Sequence, residues 1–227
     1  MRNLFSIGVA CLSVGNAQLA IAQARARLDT TVPRFAEYID ELAGALGFTP
    51  LRAPGGLGRA EREIRIWVGF GIYAPETVVR VIESRGHVRG TRFLWWTGNT
   101  AEEEAELDAD SLLVSNRELY GHLREYFRCR ERQIHGSYEF CEAGRRTNWE
   151  RVLARMDSVG VMSLPDESAL NLGRIGFDGT TMLVEVRDKH HYRTYHYWDP
   201  EATAPQPEVR RASALLSIVL DISRPPD

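Results

Sequence analysis

The chain has three cysteines among 227 residues, and it contains no G-x-S-x-G, no H-E-x-x-H, no phosphate-binding P-loop and no dinucleotide fingerprint. Those absences remove the local signatures of an α/β-hydrolase, a zincin, a P-loop NTPase and a Rossmann enzyme. Past the N-terminus no apolar run approaches the ~20 residues that span a bilayer as a helix. An excess of one charge is lacking too: 28 Lys and Arg face 31 Asp and Glu, a formal charge of -3. That balance offers no general attraction to nucleic acid and none to an acidic partner. No cofactor is expected.

The N-terminus has a composition of its own. Met1-Arg2-Asn3 is a short basic start, Leu4 to Val14 is an apolar run without charge, and Ala22-Gln23-Ala24 supplies small residues in an A-x-A arrangement. Together these read as a secretory signal peptide over residues 1–24, cleaved after Ala24. The expected mature chain, 25–227, is exported to a periplasm or to the exterior as a single α+β domain. Cleavage takes away one arginine and no acid, moving the formal charge from -3 to -4.

Cys11 leaves with the leader, so the mature chain keeps Cys129 and Cys141. In an oxidising compartment two cysteines separated by a short loop are expected to form a disulfide. A redox or nucleophilic thiol is the alternative, since Arg128, Arg130 and Arg132 surround Cys129, but the spacing is not C-x-x-C.

Apolar periodicity predicts four helices. One follows Thr31-Val32-Pro33 and carries Phe35, Tyr38, Ile39, Leu42 and Leu46 before Gly47. Another starts at Ser115, with Glu118 completing a capping box. A third pairs Thr147 with Glu150, presents Trp149, Val152, Leu153 and Met156, and stops at Gly160. The last opens near Pro207 and runs through Val209, Ala212, Leu216, Val219 and Leu220. Alternation predicts a strand from Ile64 to Ile72, a hairpin of Val78–Ser84 and Val88–Trp96 turning near Arg85-Gly86, and a second hairpin of Thr180–Arg187 and His190–Trp198. Residues 98–110 read as an acidic loop or short solvated helix. Helices packed on one face of these hairpins give an α+β class with an antiparallel sheet. The element order suggests an internal α-β-β-α duplication, with halves 25–127 and 142–227.

The richest stretch chemically is Lys189 to Asp199. On a strand His191, Arg193, Tyr195 and Tyr197 share one face, while His190, Tyr192, Thr194, His196 and Trp198 share the other. His190 and His196 would stand ~20 Å apart at ~3.3 Å per residue, so no pair within this strand can chelate one ion. No metal site is expected. Tyrosine and arginine combine apolar area with a polar tip, which makes His191, Arg193, Tyr195 and Tyr197 a candidate recognition face. Arg65, Arg80, Arg85, Arg89 and Arg92 lie on the first strands with His87, and Arg65 and Arg80 are expected to share a solvent-facing basic patch for an anion or a sulfated glycan. The leading expectation is therefore a binding or interaction module whose partner is another envelope or extracellular protein or a glycan. The alternative is a small hydrolase or metal-assisted enzyme using His190, His191 or His196, with Asp166 and Glu167 as carboxylates.

Overall fold

A computed structural model describes residues 33–69, 76–97, 132–135, 138–142, 147–170, 172 and 180–223. The expected leader, the acidic stretch 98–110 and the helix expected from Ser115 all lie outside the described residues. The elements in chain order are α1 (Pro33–Ala45), β1 (Arg62–Gly69), β2 (Glu76–Ser84), β3 (His87–Thr97), β4 (Arg132–His135), β5 (Tyr138–Glu142), α2 (Trp149–Ser158), a 3-10 turn (Glu167–Leu170), β6 (Thr181–Asp188), β7 (Tyr192–Trp198) and α3 (Pro207–Ser223). The chain adopts the expected α+β class. Its sheet is antiparallel throughout, in the order β4-β5-β3-β2-β1-β6-β7. The five strands read from alternation form its body, and the β4–β5 hairpin, which the sequence reading did not anticipate, extends one edge.

One expectation is corrected by the packing: helices lie against both faces of the sheet, not one. Ile64, Ile66, Val68, Val79, Val81, Met182, Val184 and Val186 pack with α2 and α3. The opposite face sets Trp67, Val78, Trp95 and Leu183 against Ile39, Leu42 and Ala43 of α1 and against Phe48. Each fully buried aliphatic side chain in such layers stabilises by ~1.5–3 kcal/mol. β1 lies between both layers, which is why its second face (Glu63, Arg65, Trp67) is also buried.

Local signals explain the ends of the elements. Asn148, rather than Thr147, caps α2: its side chain accepts a hydrogen bond from the backbone N–H of Arg151 at 2.8 Å. At the other end of α2, Gly160 takes φ +78°, the left-handed residue that stops a helix. The β2–β3 hairpin turns as expected through Arg85 (φ 50°) and Gly86 (φ 75°), with Ser84 opposite His87. The β6–β7 turn is longer than expected, spanning Lys189 to His191. Asp188 holds it by accepting the backbone N–H groups of His190 and His191, both at 2.7 Å.

The expected Cys129–Cys141 disulfide is also corrected, because no two cysteine sulfurs stand at disulfide distance. Cys141 belongs to β5, where the register sets it opposite Leu94 on one side and Arg132 on the other. Neither cross-strand partner of Cys141 is a cysteine, and Cys129 lies outside the described residues.

Candidate functional site

The α1 face of the sheet carries a buried charged layer. Cross-strand register lines up Arg80, Arg65, Glu185 and Thr194 on β2, β1, β6 and β7. Arg65 is fully buried. Its Nε donates to Glu63 Oε1 at 2.8 Å and its Nη2 to the carbonyl of Thr49 at 2.7 Å. Arg80 donates to both oxygens of Glu63, at 2.7 and 3.1 Å. The Phe48 ring lies under both guanidinium groups, 5.1 Å from Arg65 and 4.4 Å from Arg80. The solvent-facing Arg65/Arg80 patch is therefore corrected: Arg65 is fully buried, and Arg80, though about a quarter exposed, is held by Glu63, two residues from Arg65 along the same strand face.

Glu185 accepts from Trp67 Nε1 at 2.9 Å and from the Tyr192 hydroxyl at 3.2 Å. Burial raises its pKa above the ordinary glutamate value, against the opposing pull of Arg65 and of these two donors. Ile39, Asp40, Arg52, Leu183, Tyr192 and Thr194 complete a cleft around it of about 20 Å³. That is room for a water molecule and too little for a substrate. Asp40 and Arg52 form an ion pair at its rim. The layer's chemistry is that of an anchor: it fastens loop 48–53 to the sheet, helped by Arg187, which donates to the carbonyls of Leu51 and Ala53.

β7 separates the residues that alternation had grouped. Tyr195 and Tyr197 are fully buried in the core beneath α2 and α3, and their rings meet edge to face at 6.2 Å. Tyr195 donates to the Val161 carbonyl at 2.7 Å. Arg193 donates to the carbonyls of Met162 and Leu164, at 3.0 and 2.9 Å. Only His191 of that group is exposed. An exposed aromatic face is therefore not formed by Arg193, Tyr195 and Tyr197. The turn residue counts that fix β7's register could not be read from the sequence.

His196 lies on the other face and meets Asp166. Its Nδ1 is 2.8 Å from Asp166 Oδ2, and its backbone N–H donates to the same oxygen at 3.0 Å. Ser168 donates through both N–H and Oγ to Asp166 Oδ1. These bonds outweigh the cost of burial and hold the Asp166 carboxyl well below its usual range. The bond to Asp166 raises the His196 pKa. An Asp–His pair is an orienting unit for general acid–base chemistry. Here Ser168 donates to the aspartate rather than to the imidazole, so the three do not form a relay to a nucleophile. His190 and His191 lie at the far end of β7, and among the described residues no group of three or more His, Cys, Asp or Glu is placed to hold a metal.

That far end gathers exposed basic side chains. β1 begins at Arg62, opposite Glu83 of β2 and Asp188 of β6, so the β2–β3 and β6–β7 turns project from the same end of the sheet. Their centres stand roughly 14 Å apart at ~4.8 Å per strand. Arg85, His87 and Arg89 are exposed on one turn; Lys189, His190 and His191 are exposed on the other. Acids nearby are occupied: Glu83 and Asp157 by Arg62, Glu61 by Lys189 at 3.4 Å, and Asp188 by the turn's own N–H groups. Arg92, by contrast, is buried on the α3 side and donates to the Ile222 carbonyl at 3.0 Å. The arginines of the first strands therefore divide into buried anchors and an exposed tip.

Among the described residues no helix is long and apolar enough to cross a membrane. Searches against family models, curated proteins and solved structures found no match to this chain.

Proposed function

We propose that this is an exported binding module whose contact surface is the end of the sheet formed by the two hairpin turns, and that its partner is anionic, a sulfated or phosphorylated glycan. One observation carries the reading: the turns set Arg85, His87 and Arg89, and Lys189, His190 and His191, at the same end of the sheet, where Glu83 and Asp157 are paired with Arg62 and Glu61 with Lys189. The backbone supports it. Arg85 sits at φ 50°, where glycine or asparagine is the relaxed choice for a two-residue turn. A side chain there costs ~1–2 kcal/mol, and strain of this kind collects at working surfaces. The proposal of export is supported by the basic start, apolar run and A-x-A arrangement of residues 1–24.

The test is binding to an immobilised sulfated polysaccharide at several salt concentrations. R85A/R89A should weaken binding by roughly tenfold or more, since a hydrogen bond to a charged group contributes ~1.5–3 kcal/mol. R155A/R210A, a change of equal charge elsewhere, should leave it intact. Equal losses from both variants would reduce the interaction to net charge and refute a defined surface.

The 2.8 Å contact of Asp166 with His196 favours a second reading, the small hydrolase. It requires a nucleophile or an activated water beside the imidazole, and turnover abolished by H196A would support it.

A further inference from the structure

Among the described residues β7 is the outermost strand at its side of the sheet, and an edge presents unpaired N–H and C=O groups to any strand that can reach it. Here two of the outward N–H groups are answered by side chains instead of by a strand. His196 N–H donates to Asp166 Oδ2 at 3.0 Å, and Trp198 N–H donates to Glu167 Oε2 at 2.6 Å. Two adjacent carboxylates thus meet two outward amides at the two-residue spacing of an edge, in the positions that neighbouring carbonyls would occupy. The segment bearing them is strapped along β7: Tyr195 bonds Val161, Arg193 bonds Met162 and Leu164, and His196 Nδ1 reaches Asp166. Ser168 fixes the Asp166 carboxylate from behind through its N–H and Oγ.

We infer that residues 161–168 plug the β7 edge against a second copy of this chain, and that removing the two carboxylates opens a two-fold, antiparallel β7–β7 interface. The occupant follows from the strand itself. Alternate residues of an antiparallel edge turn their N–H outward, so Thr194 shares that orientation with His196 and Trp198. Two-fold pairing that sets Thr194 against His196 of the second copy then sets Tyr192 against Trp198. Both aromatic side chains are half-buried and lie on the same sheet face, and an aromatic cross-strand pair is a favourable one. No charged residue opposes a like charge in that register. The two sheets would continue as one across the axis, an isologous contact.

The experiment is light scattering after size exclusion, run on the wild type, on D166A/E167A and on D166A/E167A/T194P. The wild type should be monomeric. D166A/E167A should become dimeric with a concentration-dependent midpoint, and T194P, which removes an outward donor at an edge position where proline is tolerated, should return it to monomer. A folded D166A/E167A that stays monomeric over a hundredfold concentration range overturns the inference, and so does a dimer that survives T194P. Should D166A/E167A lose its native circular dichroism, hydrogen exchange of the wild type decides. The amides of His196 and Trp198 must exchange as slowly as those of the inner ladders, and exchange at the rate of an open edge overturns the plug.

Discussion

Replacing Glu63 by alanine tests the charged layer at its centre. The carboxylate accepts three hydrogen bonds from two guanidinium groups, and the Arg65 side chain is fully buried while Arg80 is about a quarter exposed. Without Glu63, Arg65 keeps one carbonyl, one aromatic face and the buried Glu185 as compensation, and its Nη1 already lacks a partner among the described residues. Truncating one member of a buried ion pair costs ~3–5 kcal/mol, because it leaves the other charge desolvated. At roughly 2–4 °C per kcal/mol for a domain of this size, the midpoint should fall by ~6–20 °C. Urea denaturation followed by fluorescence is a suitable assay, since Trp67 and Trp95 are buried in the same layer, ring to ring at 5.7 Å. Replacing all four charges of the layer together, as E63M/R65L/R80M/E185Q, should cost far less than E63A, because no unpaired charge remains. A loss below about 1 kcal/mol in E63A would refute the reasoning, showing that the arginines escape to solvent or find other partners.

Other consequences can be checked independently. Glu185 is the opposite case: burial raises its pKa, so the ionised form opposes folding as pH rises. E185Q should match or exceed the wild-type urea midpoint at pH 8, and a loss comparable to that of E63A would contradict this. The Asp166–His196 pair contributes in a defined pH window. The raised His196 pKa gives stability that is full below its unfolded value of ~6.5 and lost as pH climbs through the folded value; the lowered Asp166 pKa gives stability present above ~3.9 and lost as pH falls. Urea midpoints should therefore owe most to this pair between about pH 4 and 6.5, and H196A should flatten the alkaline side of the profile. A Cβ on Gly90 would collide with the Trp149 ring, so G90A should destabilise by ~1–3 kcal/mol, read as a lower thermal midpoint.

Much of the architecture was legible because it depends on local pattern. The alternation of Ile64, Ile66 and Val68, the Arg85-Gly86 turn and the Val152–Leu153–Met156 stripe each determine an element without help from distant residues. The β4–β5 hairpin was not legible: its strands are short, Arg132–His135 and Tyr138–Glu142, and the two cysteines suggested a bridged loop instead. The second helical layer was missed because Arg65 and Trp67 look like an exposed face until Glu63 and Glu185 are known to oppose them. The candidate site depended on register. Burial of Tyr195 and Tyr197 follows from how β7 pairs with β6, and a turn longer by one residue would have turned them outward. The Asp166–His196 contact joins residues thirty positions apart with no spacing signature, so only the fold could reveal it.

Lys189 offers the most direct test of the hairpin-turn surface, because it is the only lysine in the chain. Acylation with an amine-directed reagent, read by mass spectrometry on the peptide that contains it, reports the occupancy of the β6–β7 turn. A saturating sulfated polysaccharide should slow modification of Lys189 several-fold in the wild type. R85G should have a higher thermal midpoint, because the strained turn relaxes, together with weaker binding and less protection. Undiminished acylation of Lys189 while the polysaccharide is bound would contradict the proposed surface.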